Sequence, residues 1–304
     1  MIMNRYGAIE AGGTKFLCAI GNSRGEILNH TRIETVDPEP TIARVLDYFR
    51  NAEMDGGRLT AFGLSTFGPI ELRHDSPQYG YITTTPKAEW QNTNILGMLR
   101  RELQRPIGLD TDVNGAALAE LRWGGGQTLD SLAYVTVGTG IGGGVIHRGM
   151  PVHGLMHPEM GHISVLRHFA DVDFHGVCKF HGDCLEGLAC GPAIIARTGC
   201  TLKELRQSHL VWDMEADYLG QLCADLVLMH SPQRIFFGGG VMQYSRLFPA
   251  IHDRLLRALN GYLRGTAVCS RDYVSPSSLG DAVGIKGALA LALDAADEGS
   301  MNAR

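Results

Sequence analysis

Two carboxylates, Asp110 and Asp112, stand one residue apart at the end of the apolar run Ile107-Gly108-Leu109. In α/β proteins the ends of strands are where ligands and chemistry collect. Phosphoryl transfer to an alcohol needs one carboxylate within hydrogen-bond reach of the attacking hydroxyl. Either aspartate meets that need by spacing alone, and either also suits the cap of the helix that follows. Asn114, two residues on, fits a cap or a substrate contact.

A second constellation is His175-x-x-Cys178-x-x-His181-x-x-Cys184. Cysteines and histidines at this density between glycines are a zinc pattern, and a set closed by Cys and His alone is structural rather than catalytic. It would pin a long loop with little regular structure. The plainer alternative is free thiols beside loop histidines. The fourth ligand is His175 nearby or His162 at a distance.

Three glycine clusters complete the inventory. Gly12-Gly13-Thr14 and Gly138-Thr139-Gly140 each fall between two strand-like runs, so each half of the chain begins with a glycine-tipped hairpin. Such tips let backbone N–H groups face an anion, and phosphate oxygens suit them. Gly238-Gly239-Gly240 follows the apolar strand Ile235–Phe237 and precedes a helix, which suits close approach of a flat ligand such as adenosine. Gly138-x-Gly140-x-x-Gly143 also spells the dinucleotide fingerprint, but the following residues continue as a strand instead of opening a helix. A Walker-type G-x-x-x-x-G-K-[ST] motif is absent from the sequence.

The elements that must position these groups follow from pattern and punctuation. Strands are expected at Tyr6–Ala11, Lys15–Gly21, Ile27–Glu34, Ala61–Thr66, Ile107–Leu109, Leu132–Val137, Gly143–His147, Arg234–Phe237 and Ala267–Ser270. Helices are expected at Pro40–Met54, Thr93–Leu103, Ala116–Trp123, Met214–Ser231, Tyr244–Leu259 and Ala282–Ala296. Gly149 to Gly191 reads as irregular, and residues after Glu298 as a frayed tail. The sequence places a smaller α/β lobe at 1–115 plus 283–304, holding the first tip and the aspartates. A larger α/β lobe, 116–282, holds the second tip, the Cys/His loop and the third glycine cluster.

The 304 residues carry a formal net charge of -5 and are 44% hydrophobic, ordinary for a globular chain of about two domains. No basic run points to nucleic acid, no apolar stretch approaches the roughly 20 residues of a membrane span, and no signal-peptide core is visible. Seven scattered cysteines argue against a disulfide framework. Residence in the cytoplasm is the expectation.

Taken together, these motifs resemble the ROK (repressor, open reading frame, kinase) family, and within it the bacterial fructokinase branch. The resemblance runs over essentially the whole chain. It is carried by Glu10-Ala-Gly-Gly-Thr-Lys15, Asp110-Thr-Asp-Val-Asn114, Gly138-Thr-Gly-Ile-Gly-Gly143, Glu159-Met-Gly-His162 and Cys178-x-x-His181-x-x-Cys184-Leu-Glu186-Gly187. Ile82-Thr-Thr-Thr-Pro-Lys87-x-x-Trp90 resembles the fructokinase branch in particular.

The resemblance implies an α/β, two-lobed, actin-like and hexokinase-like (ribonuclease H-like) ATPase fold with a zinc-bound loop and ATP between the lobes. It implies that Asp112 is the catalytic base. Asn114, Glu159, His162 and Glu186 would hold the sugar, and His162 would be the fourth zinc ligand with Cys178, His181 and Cys184. Glu10, Gly12, Gly13, Thr14, Thr139, Gly140, Gly238, Gly239 and Gly240 would bind Mg²⁺-ATP. Many family members carry Asp where this chain has Glu10, a change that the fructokinase branch tolerates. The implied activity is ATP-dependent phosphorylation of D-fructose at its 6-hydroxyl by a homodimer. Mannose, glucose or another hexose is the nearest alternative. A sugar-sensing repressor or a non-catalytic sugar-binding protein is the alternative of another class.

Overall fold

The computed structural model describes residues 4–302. The chain divides into two compact units: Met1–Gly124 with Val152–His157 and Asp281–Arg304, and Gly125–Pro151 with Pro158–Gly280. The boundary differs from 115/116 in that the whole helix after the aspartates falls in the first unit. The terminal residues 1–3 and 303–304 of the smaller lobe lie outside the described residues.

The first unit starts with β1 (Arg5–Ala11), β2 (Lys15–Asn22) and β3 (Ile27–Glu34), an antiparallel meander. Helix α1 (Pro38–Gly56) opens with Pro38 in its first turn, where a missing N–H costs nothing. It crosses to β4 (Phe62–Thr66), which pairs parallel with β1. A short ribbon, β5 (Tyr81–Ile82) with β6 (Thr93–Asn94), runs straight into α2 (Ile95–Leu103), so the helix expected from Thr93 starts two residues later. β7 (Ile107–Thr111) then extends the sheet, whose order is β3-β2-β1-β4-β7. Helix α3 (Asp112–Trp123) begins four residues before the expected Ala116. The cap that starts it is neither aspartate: Thr111 Oγ1 accepts the Asn114 N–H at 3.2 Å.

The second unit repeats the plan. β8 (Leu132–Val137), β9 (Ile141–His147) and β10 (Met150–Pro151) are antiparallel. A long excursion follows, mostly irregular as expected, with a 3₁₀ turn at Met160–His162 and helix α4 (Leu185–Ala189). It ends in α5 (Gly191–Thr198), which the sequence pattern did not suggest, and α6 (Val211–His230). β11 (Ile235–Gly238) returns parallel to β8, and α7 (Leu247–Leu259) leads to β12 (Val274–Pro276). The order β10-β9-β8-β11-β12 mirrors that of the first sheet. The strand expected at Ala267–Ser270 is a 3₁₀ turn, and the edge strand lies a few residues on.

The first unit is completed by α8 (Val283–Asn302). This helix continues past Glu298, so the expected frayed tail is helical to Asn302. Ala288, Leu289 and Ala292 pack against Tyr6, Ala8, Ala19 and Ala61. The approach is close because the strands beneath carry no side chain there. A Cβ on Gly63 would sit 1.8 Å from the Ala288 carbonyl oxygen, and one on Gly108 would sit 2.2 Å from that of Leu291. The opposite face of the sheet is filled by Phe16, Phe49, Phe62 and Trp90. Among the described residues no helix is long and apolar enough to cross a membrane.

Candidate active site

In the first unit the parallel strands β4 and β7 end side by side, with Thr66 opposite Thr111, and the chain turns there into α3. The two aspartates part company at this point. Asp110 is 2% exposed and its carboxylate is fully engaged. Its Oδ1 accepts the Thr111 N–H and the Asn114 Nδ2–H, each at 2.7 Å, and its Oδ2 lies 2.9 Å from His153 Nε2. Asp112 accepts the N–H of Val113 at 2.9 Å, and among the described residues no side chain is bonded to it. Burial pushes its carboxyl up to about 6, against a smaller opposing pull from that amide. Asp112 therefore has the spare lone pairs and the near-neutral affinity of a proton acceptor, whereas Asp110 sets the position of its neighbours. Asn114 is buried, and its Oδ1 has no protein partner.

Glu10 stands near the end of β1. Burial pushes its carboxyl up to about 7; the charge of Asp112 adds to this and Lys15 opposes it. One of its oxygens, Oε2, is buried and unpartnered. An orphaned carboxylate oxygen beside a second carboxylate fits a hydrated divalent cation. The tip beyond it is closed by Gly12 N–H donating to the Lys15 carbonyl at 3.0 Å. Two bonds from Thr35 clamp it: its N–H to Thr14 O at 3.1 Å and its Oγ1–H to Gly12 O at 2.8 Å. Thr14 is exposed and Gly13 half-buried.

His153 carries no signal in the sequence. It belongs to a short return of the chain, Val152–His157, into the first unit. The Asp110 hydrogen bond raises its pKa, outweighing the effect of burial. No periodicity marks such a residue, because its place is set by a long-range excursion.

In the second unit the tip Gly138–Gly140 is closed by Gly138 N–H donating to Gly140 O at 2.9 Å. Glu186, from α4, receives the Ile141 N–H on Oε2 at 3.0 Å. A Cβ on Gly140 would lie 2.5 Å from that same oxygen, so glycine is required for the carboxylate to reach the tip. The 3₁₀ turn carrying Met160–His162, with Glu159 just before it, lies on the other side of the same residue: a Cβ on Gly161 would be 1.8 Å from the Ile141 carbonyl oxygen. At the start of β9 the Ile141 amide is thus bonded to Glu186 and its carbonyl meets the turn that carries His162, with Glu159 one residue before that turn.

His162, Cys178, His181 and Cys184 place four ligand atoms within 4.8 Å of one another; His175 is not among them. His162 Nδ1 lies 3.5 Å from Cys184 Sγ and 3.7 Å from Cys178 Sγ, and His181 Nδ1 lies 3.7 Å from Cys178 Sγ. Bonds to zinc of about 2.0–2.3 Å separate the corners of a tetrahedron by about 3.3–3.8 Å. The donor set and its spacing fit that ion.

A cavity of about 440 Å³ opens beside the second tip, lined by Gly138, Thr139 and Gly240 with Pro192, Leu202 and Tyr244. Of the third glycine cluster only Gly240 faces it. Gly238 sits under the Tyr134 hydroxyl. Gly239, at φ +92°, backs onto the Val137 carbonyl. The wall from α5 went unseen in the sequence, although Pro192 before Ala193-Ile194-Ile195 is a helix-start signal.

The sequence profile of the ROK family matches residues 6–295. Among curated proteins the fructokinase of Zymomonas mobilis is 43% identical over 293 residues, covering 95% of this chain and 97% of its own. Among solved structures the ROK hexokinase from Thermus thermophilus superposes with a TM-score of 0.78 at 26% identity, covering 97% of this chain and 99% of its own. A ROK family glucokinase from Streptomyces griseus, in complex with glucose and AMPPNP, gives a TM-score of 0.67 at 22% identity, covering 96% of this chain and 99% of its own.

Proposed function

We propose that this chain, which belongs to the ROK family, is a fructokinase that transfers the γ-phosphoryl group of ATP to the 6-hydroxyl of D-fructose. What carries the reading is the split between the two aspartates: Asp110 is spent on three neighbours, while Asp112 keeps an uncommitted carboxylate of near-neutral affinity at the head of α3. Fructose is chosen because the curated relatives matching at 39 to 43% identity include the fructokinases of Zymomonas mobilis and Streptococcus mutans.

In this reading Asp112 takes the proton from the attacking hydroxyl, and Asn114 orients the sugar through its spare amide oxygen. Glu159 and Glu186 accept hydrogen bonds from sugar hydroxyls, which a buried polar site can use to reject analogues that leave it unpaired. His162 offers Nδ1 to zinc with Cys178, His181 and Cys184, which leaves Nε2–H to donate to the sugar. Zinc, when bound, fixes that imidazole and the loop around it. Gly12, Gly13 and Thr14, and likewise Thr139 and Gly140, offer N–H and hydroxyl donors to phosphate oxygens. The cavity beside Gly240 receives the adenosine, with Gly238 and Gly239 shaping the turn behind it. Magnesium, when bound near Glu10, neutralises charge on the β- and γ-phosphates. The enzyme acts as a cytoplasmic homodimer.

The test follows ADP release by purified protein with ATP, Mg²⁺ and a panel of hexoses. Turnover with fructose well above that with glucose is expected. Preference for another hexose would move the specificity, and no turnover with any sugar in folded, zinc-replete protein would overturn the kinase reading.

A further inference from the structure

The loop before α2 holds a cation that, among the described residues, has no partner. Lys87 is half-buried, and its side chain makes no hydrogen bond or ion pair there. Its Cε is the one heavy atom within 4 Å of the point where a Cβ on Gly13 would stand, at 3.9 Å. The Lys87 side chain therefore reaches the first glycine tip, with its Cε beside Gly13. The tip residues Gly12, Gly13 and Thr14 carry no charge themselves, only backbone N–H groups and the Thr14 hydroxyl.

The loop is not free to drift. Trp90, three residues on, is fully buried between Phe16 and Phe67 (ring centroids 5.4 and 5.9 Å away) and donates its indole N–H to the Val36 carbonyl at 2.7 Å. Thr85 is buried, and its carbonyl receives the Gln91 side chain at 2.8 Å. Val36 follows Thr35, the residue that clamps the tip through Gly12 and Thr14. One short stretch of chain thus fastens both the glycine tip and the lysine loop and holds the two in register. A lysine packs its apolar stem while its charged end stays accessible, so Lys87 can meet an anion that arrives at the tip. Backbone N–H groups on one side and an ammonium on the other make a site for a phosphoryl group, not for a sugar hydroxyl.

We propose that Lys87 binds the transferring γ-phosphoryl group and is a catalytic residue of this reaction. As the sugar oxygen forms its bond to Pγ, the bond from Pγ to the β–γ bridging oxygen breaks. The hydroxyl proton passes to Asp112, and ADP leaves with the bridging electrons. Negative charge spread over the three γ-oxygens is met by the Lys87 ammonium and the tip amides. This inference rests on the kinase reading above.

The test compares wild type, Lys87→Met and Lys87→Arg by calorimetric titration with AMPPNP and with ADP, both with Mg²⁺, alongside fructose kinetics and melting temperature. Removing a charge-assisted hydrogen bond to the γ-phosphate should weaken AMPPNP about 10- to 100-fold while ADP changes less than about twofold. In Lys87→Met, kcat should fall about 100-fold or more with the fructose KM within about twofold, and Lys87→Arg should recover part of both effects. Equal weakening of AMPPNP and ADP, or an effect confined to the fructose KM, would overturn the assignment. Should Lys87→Met fail to fold, Lys87→Gln takes its place with the same expectations. A wild type that turns over no sugar sinks the kinase reading itself; a working wild type matched by Lys87→Met sinks only the role of Lys87.

Discussion

Replacing Glu10 by Gln should make the ligand-free protein more stable while making the enzyme worse. The Glu10 carboxyl releases its proton at about 7 instead of the ordinary 4.5, so the folded state disfavours its charged form by at most about 3 kcal/mol. Partial contact with water trims this to about 1–3 kcal/mol. The sign follows from the proton balance. Below pH 4.5 the group is neutral whether the chain is folded or not, and nothing is lost. Above pH 7 it is charged in both states, and the folded state bears the whole penalty. At pH 8 the Glu10→Gln protein should therefore melt about 2–5 °C above wild type, and the gap should shrink towards zero at pH 5. The measurement is a melting curve in nucleotide-free, magnesium-free buffer, without chelator so that the Cys/His site is undisturbed. Turnover should fall, since the neutral amide cannot support a hydrated cation. A mutant that melts no higher than wild type at pH 8, or a gap equal at both pH values, would refute the account of Glu10 as a buried charge kept for a ligand.

Further outcomes follow at Asp112 and at the Cys/His cluster. Asp112→Asn should lower kcat at least about 100-fold, the usual worth of a general base, while at pH 8 the protein melts no lower than wild type, because the buried charge it loses is one the fold disfavours there. In wild type, kcat/KM should rise through pH 6 and be about tenfold lower at pH 5 than at pH 7, because the base must be ionised; a flat profile would count against Asp112. Metal analysis of freshly prepared protein should find about one zinc per chain. Cys178→Ser should lose that zinc, melt earlier and lose fructose turnover through His162. Protein without zinc that remains fully active would break the link between loop and sugar site.

The strands were readable because Tyr6–Ala11, Lys15–Gly21 and Leu132–Val137 are bounded by glycine turns and rich in apolar residues, a local signal. The start of α3 was missed because the cap is Thr111, a residue overshadowed by the acids on either side. The last strand was misplaced because Val274–Pro276 is defined by its parallel partner β11, not by a pattern of its own. Its final Pro276 is tolerated at a sheet edge. The glycine tips and the Cys/His cluster stood out, since their residue types carry the chemistry within a few positions. Spacing alone left Asp110 and Asp112 level and the family resemblance favoured Asp112, for which the hydrogen bonds supply a physical reason; His153 and the α5 wall needed the tertiary path of the chain.

The seating of α8 has a consequence for biogenesis. All residues of the second unit between Gly125 and Gly280 leave the ribosome after the strands of the first unit and before α8. Until then Tyr6, Ala8, Ala19 and Ala61 lack their cover, and Gly63 and Gly108 lie bare. The second unit can reach its own core during synthesis, whereas the first must wait, half-assembled, for a helix encoded far downstream. Contacts so distant along the chain close slowly and leave apolar surface open to misassociation in the interval. A released chain that ends just before Val283 should hold a protease-resistant second unit and a first unit still open to cleavage.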